Sequence, residues 1–164
     1  MSKEPTRLKK LKVKRLTFEV AMHSVFNSEG GYSNHPKDSG GVTYKGISSA
    51  FYKELVKDHP KRYRNVSVTK LTQAERLAIY RKWFWEASGA DRIPNPALAL
   101  QVFDHAVNAS VFRANKLLKN GNTTPKMYRN ARHTAYENDP NCATFCDGWH
   151  PRVERVYKKG LELS

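Results

Sequence analysis

Five of the chain's nine glycines fall between Gly30 and Gly46, directly behind an apolar run from Leu16 to Phe26. Leu16, Val20, His23 and Phe26 or Asn27 recur at helical spacing, so the run reads as a helix. Gly30-Gly31 should end it, because glycine takes the left-handed conformation of a helix C-cap without a steric penalty. The glycine density beyond that point suits a short β-hairpin or loop lining a cleft.

The rest of the chain is punctuated for helices. One is expected near Ser49 to Lys57, followed by a polar loop from Asp58 to Lys70 that contains Pro60. Thr72-x-x-Glu75 is a capping box, in which side chain and backbone satisfy each other's open donors, and it opens a helix to about Ala87. Pro94 and Pro96 start the next helix, since proline is tolerated in a first turn. On that helix Ala97, Leu100, Gln101, Asp104 and Asn108 share one face, so polar groups interrupt a buried element. Further helices are expected at Ser110–Lys119, Pro125–Glu137 and His150–Leu161. Trp83, Phe84 and Trp85 read as core packing, Asp104 as structural, and His23 and His105 as satisfied histidines rather than catalysts. With 164 residues, no internal repeat and no long linker, the chain has room for one domain with a real core. The expected fold is mostly α, a single domain with a short β-hairpin or loop at its cleft.

Three residues in the glycine-rich stretch carry chemistry. Glu29 stands where the first helix gives way to glycine, Asp38 follows nine positions on, and Thr43 five after that. Cleaving a glycosidic bond needs an acid to protonate the leaving oxygen and a second group to supply or steer the nucleophile. A carboxylate at the lip of an apolar helix loses hydration, which keeps it protonated near neutral pH. A negative charge at a helix C-terminus also opposes the helix dipole, so a purely structural role is disfavoured for Glu29. Asp38 is the candidate base or oxocarbenium stabiliser, though an Asx turn ahead of Ser39-Gly40 uses aspartate equally well. Thr43 is a candidate to hold the attacking water, against the plain reading of a β-former.

The same residues resemble a known family. Glu29-Gly-Gly-Tyr32 followed by Asp38-Ser-Gly-Gly-Val-Thr-Tyr-Lys-Gly-Ile47 is similar to the active-site motif of the muramidases of glycoside hydrolase family 108. Leu71-Thr-Gln-Ala-Glu75 with Ile79 to Trp85, Phe103-Asp-His-Ala-Val-Asn108 and Gly148-Trp-His-Pro-Arg-Val153 look like the family's later blocks. The resemblance spans about residues 16 to 160. It implies a lysozyme-like fold for this mostly α domain, and a peptidoglycan hydrolase, an N-acetylmuramidase of the endolysin type, that cleaves the β-1,4 bond between N-acetylmuramic acid and N-acetylglucosamine. On this reading Glu29 is the general acid, with Asp38 and Thr43 completing the catalytic group. Tyr32, Tyr44 and Asn108 are expected to contact substrate, Asn108 through an acetamido group or, instead, as a tie between two helices. The fold would divide into a basic arm at 1–15 and the catalytic domain at 16–164. No metal or cofactor is needed for this chemistry.

The net charge of +14 calls for an anionic partner. Residues 1 to 15 hold Lys3, Arg7, Lys9, Lys10, Lys12, Lys14 and Arg15 against Glu4 alone. Nucleic acid is one such polyanion and a bacterial envelope is another; the Glu29 motif favours the envelope. The expected partners are peptidoglycan and anionic envelope polymers, with no nucleic acid and a monomeric enzyme. No run reaches the ~18 apolar residues of a membrane span, and no apolar stretch of a secretory signal follows the basic start. Together with the resemblance to endolysins, this implies synthesis in a host cytoplasm and action on the cell wall after another protein has opened the membrane.

Cys142, Cys146 and His150 recur at four-residue intervals, with His133 upstream. A zinc site is conceivable there, but the spacing is not that of a zinc finger. A disulfide across four helical positions is expected to be strained, so free thiols in a reducing cytoplasm are the plain reading. Two rival functions remain. A lytic transglycosylase would use Glu29 alone and leave 1,6-anhydromuramic ends. A basic nucleic-acid-binding protein is the non-enzymatic rival, although no recognition helix, finger or RNP-like motif supports it.

Overall fold

The computed structural model describes residues 14–28, 32–33, 43–44 and 46–164, with the backbone alone for residues 26–28, 32–33 and 43–44. Helix α1 spans Phe18–Ser28, followed by strands β1 (Tyr32–Ser33), β2 (Thr43–Tyr44) and β3 (Ile47–Ser48). Helices α2 (Ser49–Asp58), α3 (Gln73–Tyr80), α4 (Pro96–Asn108), α5 (Val111–Lys119), α6 (Pro125–Glu137) and α7 (Cys142–Leu163) follow, with short 3₁₀ turns at Val68–Lys70 and Ala90–Arg92. It is the expected mostly α, lysozyme-like fold.

The three strands form one antiparallel sheet in the order β1-β2-β3. Tyr32 lies opposite Tyr44 and Ser33 opposite Thr43, while Thr43 and Tyr44 face Ser48 and Ile47 on the other edge. Gly46, at φ 82°, turns the chain from β2 into β3, a backbone conformation that only glycine adopts freely. Ser48 ends the sheet and starts a helix at once: its hydroxyl accepts from the Phe51 amide at 3.1 Å and caps α2.

Helix α1 is rotated relative to the stripe expected from sequence. Its buried face is Phe18, Ala21, Met22 and Val25, whereas His23 is exposed. Phe18 sets this rotation, because its ring packs against both Trp85 and Phe103 with centroids 6.2 Å away in each case. Trp85 and Phe103 meet edge-to-face at 5.3 Å, which joins three elements in one aromatic knot.

The Thr72–Glu75 capping box forms as expected and starts α3. From Arg81 to Glu86 the helix continues with π-type hydrogen bonding, a local widening that sequence spacing does not announce. Phe84 and Trp85 are buried within this segment, and Trp83 packs against the core from its edge.

Helix α4 is the axis of the fold. Every residue from Pro96 to Ala106 is buried, so the helix has no solvent stripe and must be enclosed on all sides. Helices α7, α5, α6 and α1 all pack against it. The approach of α7 is close: a Cβ added at Gly160 would stand 2.8 Å from the Cα of Ala97.

Helix α7 begins at Cys142 rather than at the expected His150, and it runs through Pro151. Proline removes one internal hydrogen bond, but Cys146 and Val153 flank it and are both buried in a small cluster with Tyr136 of α6. Packing on either side holds the helix continuous. No helix among the described residues is long and apolar enough to cross a membrane.

Candidate active site

Glu29 and Asp38 lie outside the described residues, as do the side chains of Tyr32, Thr43 and Tyr44. The frame on either side of them is described. Helix α1 ends at Ser28, one residue before Glu29, and Tyr32 and Thr43 belong to neighbouring strands of the same small sheet. Asn108 closes α4, the helix against which α1 packs.

Beneath Asn108 a polar network fills the inner face of α4. Asp104 is wholly buried and accepts from Arg132 Nη2 at 2.7 Å and from Arg152 Nη2 at 2.8 Å. Arg152 Nε also lies 3.1 Å from each carboxylate oxygen, so helices α4, α6 and α7 are tied at one point. Burial by itself would raise the Asp104 pKa, but the charges of Arg152 and Arg132 outweigh it and hold the value at about 2. Asp104 is therefore ionised and fully engaged, as a structural residue should be. It has no proton to give a leaving group at neutral pH.

His105 is also buried, with Nδ1 2.8 Å from the Tyr128 hydroxyl. Tyr128 donates its own proton to the Ala114 carbonyl at 3.2 Å, so His105 carries its hydrogen on Nδ1 and donates to Tyr128. Burial, reinforced by the nearby Arg132 charge, pushes His105 well below the usual histidine range and keeps it neutral. The Tyr128 hydroxyl is pushed far upward, chiefly by burial.

Asn108 is half-buried and donates from Nδ2 to the Tyr136 hydroxyl at 2.7 Å. The same hydroxyl accepts from Arg132 at 3.1 and 3.3 Å. Asn108 is thus bonded across to α6, while its amide oxygen retains acceptor capacity for a ligand. Tyr136 stacks on Trp149 at 4.8 Å, and Trp149 on Phe145 at 5.5 Å, which extends an aromatic ladder from the network along α7.

Arg132, Tyr136 and Arg152 support this region without having been singled out by sequence reading. Arg152 sits inside the Gly148-Trp-His-Pro-Arg-Val153 segment, the one signal that pointed toward it. The cysteines depart from expectation. Cys142 and Cys146 form a disulfide and are not free thiols, and the Cα atoms are 4.6 Å apart, within the span such a bond accepts. Cys142 is the first residue of α7, where the helix is not anchored by a preceding turn, so the chain can bring the two residues together.

A mostly α, lysozyme-like domain with a three-stranded sheet beside the first helix is the class of protein that these elements define. The model of the family described as Glycosyl hydrolase 108 matches residues 22–109, from α1 through the end of α4, and the chain belongs to that family. The chain is also similar to a solved structure titled "Structure of Brucella abortus SagA", at 28% identity and a TM-score of 0.75. That likeness covers 90% of this chain and 95% of the other. No curated protein matches the chain significantly.

Proposed function

We propose that this glycosyl hydrolase is a peptidoglycan hydrolase of the N-acetylmuramidase type, cleaving the β-1,4 bond between N-acetylmuramic acid and N-acetylglucosamine. The observation that carries the reading is the family match over residues 22–109, which includes the whole Glu29-to-Ile47 motif and Asn108. Glu29 serves as general acid and protonates the glycosidic oxygen. Asp38 stabilises the oxocarbenium-like transition state or activates water, and Thr43 orients that water. Tyr32 and Tyr44 contact sugar rings, and the Asn108 carbonyl oxygen takes an acetamido N–H.

The partners in this reading are peptidoglycan and, through the basic arm at 1–15, anionic envelope polymers rather than nucleic acid. The enzyme works as a monomeric endolysin that reaches the wall once a separate protein has opened the membrane. Asp104, on the inner face of α4, takes no part in this chemistry, since it is ionised and held by two guanidinium groups.

Mass spectrometry of fragments released from purified peptidoglycan tests the proposal. Reducing-end N-acetylmuramic acid is the expected product. Ends in 1,6-anhydromuramic acid would reassign the enzyme as a lytic transglycosylase, and reducing-end N-acetylglucosamine would move the cut to the other bond.

A further inference from the structure

One cluster of reactive side chains stands on α6 and α7, on residues that the proposed glycan chemistry does not use. On α7, Cys142, Cys146 and His150 fall on successive turns of one face, and one ligand atom from each lies within 4.8 Å of the other two. His133 of α6 meets this face: its Nδ1 is 2.6 Å from Nδ1 of His150. The other nitrogen of His133, Nε2, lies 2.7 Å from Oε1 of Glu154. Glu154 is also held by Arg129 Nε at 2.7 Å. With Nε2 engaged by the carboxylate, Nδ1 is the ring nitrogen of His133 that faces His150.

This is the arrangement by which a carboxylate orients a metal-binding histidine. Two sulfurs and two imidazoles are the donor set that selects zinc, which takes them tetrahedrally at about 2.3 Å for sulfur and about 2.0–2.1 Å for nitrogen. The two sulfurs are joined in the structure and cannot ligate in that form.

We propose that the reduced chain binds one Zn²⁺ through Cys142, Cys146, His150 and His133, and that the Cys142–Cys146 disulfide is the metal-free, oxidised form of the same site. A phosphine and one water reduce the bond: the phosphorus takes the oxygen and becomes phosphine oxide, and each sulfur gains a proton. Zn²⁺ then replaces the two thiol protons, which pass to solvent, and no further electron moves. The ion joins α7 to α6 where the disulfide joins only one turn of α7 to the next. The proposal does not depend on the identity of the glycan substrate.

The full chain is reduced with a phosphine under anaerobic conditions and titrated with Zn²⁺, with Co²⁺ as the spectroscopic probe. One equivalent is expected to bind, with the intense d–d bands of tetrahedral Co²⁺ and a sulfur-to-cobalt charge-transfer band. The oxidised chain should bind none. Cys146→Ser should abolish the charge-transfer band or leave a weaker one. His150→Ala, which keeps the disulfide and can be checked for fold in the oxidised state, should weaken binding roughly tenfold or more, the scale on which zinc sites respond to lost ligands and their supports. Absence of stoichiometric binding, an octahedral Co²⁺ spectrum, or equal affinity in His150→Ala would overturn the proposal. So would a reduced chain that loses its helical circular dichroism and does not recover it on adding Zn²⁺.

Discussion

Arg152 of α7 grips Asp104 of α4 with two prongs, Nη2 to Oδ1 at 2.8 Å and Nε to Oδ2 at 3.1 Å, across 48 residues of sequence. Arg132 completes the site from α6 with both of its paired side chains fully shielded from water. Breaking a buried pair costs more than forming it gains, because the remaining charges are left without compensation.

Asp104→Asn should therefore destabilise the protein by about 3–5 kcal/mol, the range for removing one partner of a buried pair. The urea midpoint would fall with little change in slope. A midpoint within experimental error of the parent would show that the network does not support the fold.

The same site sets an acid limit. The folded Asp104 pKa of about 2 lies below its ordinary 3.8, so its ionised form stabilises the folded state. This contribution is complete above pH 3.8 and is lost as pH falls through about 2. It amounts to about 2 kcal/mol, from the difference between the two values. Stability measured across that window should decline in the parent more steeply than in Asp104→Asn. Parallel declines would remove Asp104 from the account.

The proposed acid can be tested without disturbing shape. Glu29→Gln retains size and hydrogen bonding but has no proton to transfer, so turnover should drop at least roughly a hundredfold. Circular dichroism should be unchanged. Wall clearing at the parent rate by the folded variant excludes Glu29 as the acid. In the companion pair, Asp38→Asn should remove most activity while substrate still binds, and Thr43→Ala should cost less. Full activity in Asp38→Asn would leave a single-acid scheme.

Deleting residues 2 to 14 should weaken binding to whole envelopes and flatten the salt dependence of lysis. Salt at 1 M shortens the Debye length to about 3 Å and screens such attraction. The deletion spares Leu16, which is buried in the core. Cleavage of short soluble glycans should then stay near the parent rate. Equal losses on both substrates, with a lower melting temperature, would mean that the segment packs on the domain instead.

Gly160→Ala forces a methyl carbon to 2.8 Å from the Ala97 backbone, closer than packed atoms tolerate. Helices α4 and α7 must part to admit it, at about 1–3 kcal/mol, as overpacked cores show. Thermal melting of Gly160→Ala beside Gly148→Ala is the comparison, since a Cβ at Gly148 meets nothing within 4 Å. Equal melting temperatures would contradict the close approach.

What the sequence determined by itself is local. The capping box of Thr72 and Glu75, the proline starts of α4 and α6, and the caps Ser48 and Ser110 are satisfied within three residues of chain. Short-range geometry of this kind depends on neighbouring residues alone. The fold class and the Glu29-to-Ile47 motif were legible for the same reason, as compact patterns in one stretch of chain. Tertiary structure decided the rest. With 29 Lys and Arg residues available, nothing in the one-dimensional order says that Arg132 and Arg152 are the two that meet Asp104. The rotation of α1 likewise follows from the fit of Phe18 against Trp85 and Phe103 rather than from its own spacing. Helix α7 continues through Pro151 because α6 packs beside it, and the Asn108–Tyr136 bond exists because α4 and α6 are neighbours. These choices are made by burial: once water is excluded, a charge or hydroxyl must find a partner among whatever side chains the packing has brought within reach.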